Sequence, residues 1–188
     1  MVLSQVPNLI TLSRIALTPA FVLLLNDGNY PLALLLFTIA GLSDGLDGLI
    51  AKRFHYATRL GAILDPVADK FLLVSAYVML TVLGHLPVWL VIVVVFRDLL
   101  IVGGYLVYTS MYGPVQMRPS WLSKINTLLQ IVLVVAVLLE QAAGRNYPDA
   151  IQALVYAVLI STVASGAHYL WVWGVMKQVE PAQARQRR

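Results

Sequence analysis

The sequence predicts an all-α, polytopic membrane protein with six transmembrane helices and both termini cytoplasmic. Three observations carry this expectation. Of the 188 residues, 60% are hydrophobic and only 12% are charged, roughly half the charged fraction of an ordinary soluble domain. Apolar runs near the length needed to cross hydrocarbon, about 20 residues, recur along the chain with turn-forming residues between them. Lys and Arg fall mainly in alternate connections, the pattern that orients helices in a membrane. A mean hydropathy of +0.81 agrees.

The first run covers roughly residues 9–26 and is closed by "NDGNYP". The second, 31–51, leads into Lys52, Arg53 and Arg59; the third, 62–83, ends at "LGHLP". The fourth, 87–109, is followed by "MYGPVQMRPS", which carries Arg118, with Lys124 just beyond. The fifth, 121–140, ends at "AAGRNYPD", and the sixth covers 149–173. A basic tail over about 177–188 holds Lys177, Arg185, Arg187 and Arg188, whereas Arg145 alone falls on the opposite side. No connection is long enough to separate domains, so residues 1–188 read as a single membrane domain. The tail suits anionic membrane lipids at about 1 kcal/mol per cation; a solvated stop-transfer end accounts for it equally well. Tyr169, Trp171 and Trp173 suit an interfacial aromatic belt.

The net charge of +4 and pI near 9.5 do not indicate nucleic acid, because no basic patch with interleaved aromatics is present. With no cysteine, disulfides and thiolate chemistry are excluded. The opening stretch "MVLSQVPNLITLSRIALTPAFVLLL" has neither a basic n-region nor an A-x-A-like cleavage site, so no cleavable signal is expected. A bacterial inner membrane is the simplest host.

Against this apolar background the acidic residues stand out. Asp44, Asp47, Asp65, Asp69 and Asp98 fall inside or at the ends of apolar runs, where an uncompensated carboxylate costs several kcal/mol. Asp44 and Asp47 are spaced i, i+3, and Asp65 and Asp69 i, i+4, so each pair shares one helical face. The short connection makes the second and third helices antiparallel neighbours, which brings both pairs to one depth on the cytoplasmic side. Clustered carboxylates of this kind need cations. An all-oxygen donor set suits Mg2+, Mn2+ or Ca2+, and the count suits two ions of the type used in phosphoryl transfer. A salt-bridge belt with Lys52, Arg53, Arg59 and Lys70 is the alternative, but would not by itself require two pairs in register. A divalent-cation transporter would also place acids on membrane helices, normally near the midplane and often with inverted repeats. Gly48 and Gly61 leave room for a close ligand, while Gly41 and Gly45 fit helix packing equally well. Thr58 can cap the third helix or touch a phosphate.

The stretch "DGLDGLIAKRFHYATRLGAILDPVAD" (Asp44–Asp69) resembles the signature of the CDP-alcohol phosphotransferase family, D-x2-D-G-x2-A-R-x8-G-x3-D-x3-D. Every fixed position but one matches: Lys52 stands where the family has arginine, with Arg53 immediately after it. The resemblance implies that Asp44, Asp47 and Asp65 hold two divalent cations, Mg2+ or Mn2+. It implies that Asp69 completes the ligand set of the second cation and acts as base on the incoming hydroxyl. Gly48, Lys52, Arg53, Thr58 and Gly61 would line the pocket for CDP-diacylglycerol. Lysine replaces the bidentate fork of arginine with a point charge, for which Arg53 can substitute. Family members are commonly homodimers, so a homodimer is implied here too.

The acceptor alcohol must be read from other segments. "PNLITLSR" is similar to the branch that contains phosphatidylglycerophosphate synthases and cardiolipin-forming enzymes; Asn8 and Arg14 there suit phosphate, or else a helix-start turn and a snorkelling arginine. "FRDLLI" places Arg97 beside Asp98, where adjacency alone does not dictate that they pair, and an arginine at that depth calls for an anion such as a lipid phosphate. "RPSWLSKINTLLQ" offers Arg118, Ser123, Lys124, Asn126 and Thr127. Its Ser-Lys-x-Asn-Thr pattern resembles the cardiolipin-forming members, whereas phosphatidylglycerophosphate synthases tend to carry a second lysine at the position of Asn126. One cation fewer suits phosphatidylglycerol, a monoanion, over glycerol 3-phosphate, nearly a dianion. His168 can bond an acceptor hydroxyl or simply pack. The resemblance thus implies transfer of a phosphatidyl group from CDP-diacylglycerol to phosphatidylglycerol, with glycerol 3-phosphate as the alternative acceptor.

Overall fold

The computed structural model describes residues 6–41, 61–112 and 120–174, with side chains described over 16–41, 70–104 and 120–171. All regular structure among these residues is helical: α1 Val6–Asn26, α2 Tyr30–Gly41, α3 Gly61–Val82, α4 Val88–Tyr112, α5 Trp121–Ala143 and α6 Pro148–Gly174. Described helix ends match the apolar runs to within three residues. The largest difference at a start is in α1, which begins before Pro7 because the first turn of a helix tolerates a missing N–H. Among the described residues α5 and the Pro148–Trp171 part of α6 are each long and apolar enough to cross a membrane.

Two compact units divide the chain. The first comprises Met1–Pro87 and Val134–Pro148, the second Val88–Leu133 and Asp149–Arg188, so α5 contributes to both. In the first unit α1 packs on α3. Phe21 and Leu25 of α1, Phe37 of α2 and Ala76, Tyr77 and Leu80 of α3 are buried, and the Phe21 and Phe37 rings lie 5.7 Å apart in a tilted pair.

Three helices of this unit end alike. Gly28 donates to the Leu25 carbonyl and Asn29 to that of Leu24; Gly84 and His85 bond the carbonyls of Thr81 and Leu80, and Gly144 and Arg145 those of Gln141 and Glu140. These are Schellman caps, which satisfy carbonyls a helix end leaves over. Each needs a left-handed residue; Gly28 (φ 71°) and Gly144 (φ 59°) supply it without the clash a Cβ would suffer. Asn29 then starts α2, its Oδ1 accepting from Leu32 N at 3.4 Å.

These turns carry a polar group of their own. Tyr30 Oη and His85 Nε2 are 2.9 Å apart and their rings meet edge-on. Glu140, buried in the last turn of α5, accepts from Tyr147 N through Oε1. Burial lowers the His85 pKa from its ordinary value of 6.5, and the Glu140 carboxylate opposes this in part. The neutral imidazole can thus accept the Tyr30 proton. With the folded value below the unfolded one, His85 contributes stability that is complete above pH 6.5 and is lost as pH falls through the folded value. Thermal midpoints in detergent should therefore drop between pH 7.5 and 5, on the order of the range in which histidine titrates. His85→Gln should flatten that part of the profile; an unchanged slope would remove the assignment.

The second unit buries polar side chains alongside apolar ones such as Leu90, Leu133 and Val158. Arg97 is 5% exposed, whereas its neighbours Phe96 and Leu99 are 66% and 65% exposed. Asn126, Gln130, Thr162 and Ser165 are likewise buried while Leu128, Ile160 and Val163 face outward. An apolar exterior around internally bonded polar groups suits hydrocarbon as the solvent.

Candidate functional site

The signature region lies partly beyond what the structure describes. Asp44, Asp47, Gly48, Lys52, Arg53 and Thr58, together with Arg118, fall outside the described residues. Gly61, Asp65 and Asp69 lie on the described backbone of α3, which keeps Asp65 and Asp69 at i, i+4 on one helix; Asn8 and Arg14 lie on α1, with Asn8 in its first turn. The side chains of these five are also outside the described residues. Among the described residues no group of three or more His, Cys, Asp or Glu could hold a metal. The four signature aspartates lie outside those described side chains; as an all-carboxylate donor set they would suit hard divalent cations.

The acceptor candidates can be followed further, because Arg97, Asp98, Ser123, Lys124, Asn126 and His168 all lie in the second unit. Arg97 of α4 donates from Nη1 to Asp98 Oδ1 at 2.8 Å, and from Nη2 to Ser123 Oγ of α5 at 2.7 Å and Ser165 Oγ of α6 at 2.6 Å. The stem runs close to α6, where a Cβ added at Gly166 would sit 3.7 Å from Arg97 Cγ. Nε is buried with no hydrogen-bond partner among the described residues.

Adjacency alone does not dictate that Arg97 and Asp98 pair, yet they do, so Arg97 has an anion within the chain. The two side chains are 6% and 12% exposed, and the long, flexible arginine stem spans the angle between successive helical positions.

A second set of bonds lies one turn along. Asn126 stands three residues after Ser123 on α5; its Oδ1 accepts from Ser161 Oγ at 2.9 Å and Thr162 Oγ1 at 2.8 Å on α6. Its Nδ2 is buried and has no partner among the described residues. Ser120 starts α5 as its N-cap, Oγ accepting from Ser123 N at 3.2 Å, which places Ser123 and Asn126 on the first two turns. Lys124 points elsewhere: it is exposed and its Nζ sits 5.2 Å from the Trp121 ring centre, a cation–π contact. His168 is exposed too, with its ring edge-on to Tyr169.

Ser161, Thr162 and Ser165 were not among the residues expected at this site. Their signal is a pattern: hydroxyls at i, i+1 and i+4 within an otherwise apolar helix.

A sequence model of the CDP-alcohol phosphatidyltransferases matches residues 4–175. The chain belongs to this family. Among curated relatives, a probable CMP-forming cardiolipin synthase of Drosophila melanogaster is 36% identical, covering 88% of this chain and 56% of the relative. The human CMP-forming cardiolipin synthase is 32% identical over 90% of this chain and 61% of its own length. The CDP-diacylglycerol–glycerol-3-phosphate 3-phosphatidyltransferase of Bacillus subtilis is 34% identical over 92% and 97%. The chain spans less than two thirds of the animal relatives it matches and nearly all of the bacterial one. Family members similar to this chain therefore carry the names of different enzymes, and the family match does not choose between them.

Proposed function

We propose that the chain synthesises cardiolipin, transferring a phosphatidyl group from CDP-diacylglycerol to phosphatidylglycerol with release of CMP. The acceptor hydroxyl oxygen forms a bond to the lipid-side phosphorus, the bond from that phosphorus to the bridging oxygen breaks, and CMP departs with that oxygen. Asp69 takes the hydroxyl proton. Asp44, Asp47, Asp65 and Asp69 would hold two divalent cations, Mg2+ or Mn2+, which when bound neutralise the diphosphate and the departing CMP. Gly48, Lys52, Arg53, Thr58 and Gly61, with Asn8 and Arg14, would bind the CDP-lipid. Six membrane spans, cytoplasmic termini and a bacterial inner membrane complete the reading, supported by the apolar exterior and the distribution of Lys and Arg.

One observation favours phosphatidylglycerol as acceptor. Arg97 already meets a carboxylate at 2.8 Å within the chain, which lowers the positive charge it offers an acceptor and suits a phosphodiester monoanion better than the near-dianion of glycerol 3-phosphate. The opposing reading, a phosphatidylglycerophosphate synthase, draws on the bacterial relative matched along almost its whole length.

Acceptor choice by the purified protein separates the two. With CDP-diacylglycerol and Mg2+ or Mn2+, phosphatidylglycerol should yield cardiolipin and CMP, and glycerol 3-phosphate should yield no lipid product. Phosphatidylglycerophosphate in the second reaction would keep the aspartate assignments and reverse the choice of acceptor. No CMP from either would end the proposal.

A further inference from the structure

We infer that three hydroxyls of α6, on Ser161, Thr162 and Ser165, are positioning residues for the acceptor: they aim two otherwise idle donors, Asn126 Nδ2 and Arg97 Nε, at a monoanionic glycerophospholipid head group. The inference rests on the proposed use of phosphatidylglycerol and assigns the residues that make this site selective.

The first argument is burial. Asn126 is 0% and Arg97 5% exposed, yet each keeps a buried N–H group without a partner among the described residues. A buried donor left unsatisfied costs about 1–3 kcal/mol, and native chains rarely keep one without a use. Here two occur on side chains joined to the same helix.

Direction is the second. An amide side chain has two nearly isosteric ends, and its neighbours decide which way it faces. Ser161 and Thr162 both reach Asn126 Oδ1, so the amide is held by its oxygen and Nδ2 is turned away from those hydroxyls. The Ser161 proton is shared, since Oγ also lies 3.0 Å from the Val158 carbonyl. Thr162 is thus the firmer of the two anchors, and the more telling one to replace. Ser165 does the corresponding job for the guanidinium: with Ser123 it occupies both hydrogens of Nη2, while Asp98 takes one of Nη1, and in the plane that results Nε is the guanidinium nitrogen left with no partner among the described residues.

Charge is the third. Donors that surround a paired cation can bond phosphodiester oxygens or glycerol hydroxyls without the extra positive charge a dianion requires. A site built from fixed hydrogen-bond donors also rejects ligands that leave those donors unsatisfied. Selectivity here would come from the direction of two N–H groups, which α6 sets without touching the ligand.

The test uses the full chain in detergent and two readouts. In the first, thermal midpoints are measured with phosphatidylglycerol or phosphatidylcholine added, without CDP-lipid or divalent ions. The wild-type chain should be stabilised by phosphatidylglycerol, and Ser161→Ala/Thr162→Val should lose most of that shift. In the second, steady-state kinetics should show the KM for phosphatidylglycerol raised about tenfold in the double variant, as expected for about one lost directed hydrogen bond. Its KM for CDP-diacylglycerol and its kcat should stay within about twofold, since uniform binding alone is removed. Thr162→Ser, which keeps the hydroxyl, should behave as wild type, and Ser165→Ala should show the same split as the double variant. An unaltered acceptor KM, or a parallel loss in every parameter with a lower midpoint in ligand-free protein, overturns the inference. Absence of any phosphatidylglycerol shift in the wild type overturns it as well. Failure of wild-type turnover with phosphatidylglycerol, by contrast, refutes the proposed activity, and the binding readout then still decides whether α6 directs the acceptor.

Discussion

Asp69→Asn is expected to lower kcat by about 10²–10⁴-fold, the usual worth of a positioned general base, while CDP-diacylglycerol binds nearly as before. The substitution keeps volume and one oxygen, so it removes proton uptake with little change in shape. Asp65 and Asp69 sit one turn apart on the α3 backbone; both would hold a cation, but only Asp69→Asn should keep kcat low at saturating Mg2+ or Mn2+, because it alone removes the base. Asp65→Asn and Asp44→Asn weaken a carboxylate ligand, so the concentration of Mg2+ or Mn2+ needed for half-maximal rate should rise, or activity should end. Turnover by Asp69→Asn at the wild-type rate would remove it as the base. Metal requirements unchanged in both Asp44→Asn and Asp65→Asn would undo the two-cation assignment.

How much of this could be read from the chain follows from the kind of information each feature needs. Helices were legible because apolar runs are long and their breaks are chemically specific. "NDGNYP", "LGHLP" and "AAGRNYPD" each contain the glycine that becomes the left-handed residue of a Schellman cap. The aspartate signature was legible because its spacing is covalent. Partner choice between helices was not. Periodicity places Arg97 on a face but does not say whether its anion is a ligand or its own neighbour, and only the conformation of a long side chain settles that. Ser161, Thr162 and Ser165 were passed over because isolated hydroxyls in an apolar helix can also bond their own backbone, as Thr38 does with the Leu34 carbonyl at 2.7 Å. Glu140 and His85 were missed for a different reason. Each stands at a helix end or in a turn, and their relation exists only because the caps bring separate turns into one unit.

The Arg97–Asp98 pair allows stability and acceptor binding to be separated. Arg97→Met takes from Asp98 the guanidinium it pairs with, and Asp98→Asn takes the carboxylate from a guanidinium that is 5% exposed; each should lower stability, by up to about 3–5 kcal/mol, as breaking a buried pair usually does. The double variant Arg97→Met/Asp98→Leu removes both charges together with their desolvation penalties, so most of the loss should be recovered. Thermal midpoints in detergent would then show strongly non-additive effects, the mark of residues in direct contact. Additive losses would mean that each charge is compensated separately and that the 2.8 Å contact contributes little. The recovered double variant carries the second half of the argument. It keeps the fold but lacks the guanidinium, so its phosphatidylglycerol KM should remain high even where its midpoint is close to wild type. A stable double variant with an ordinary acceptor KM would make Arg97 a structural residue, and leave Asn126 as the donor to pursue.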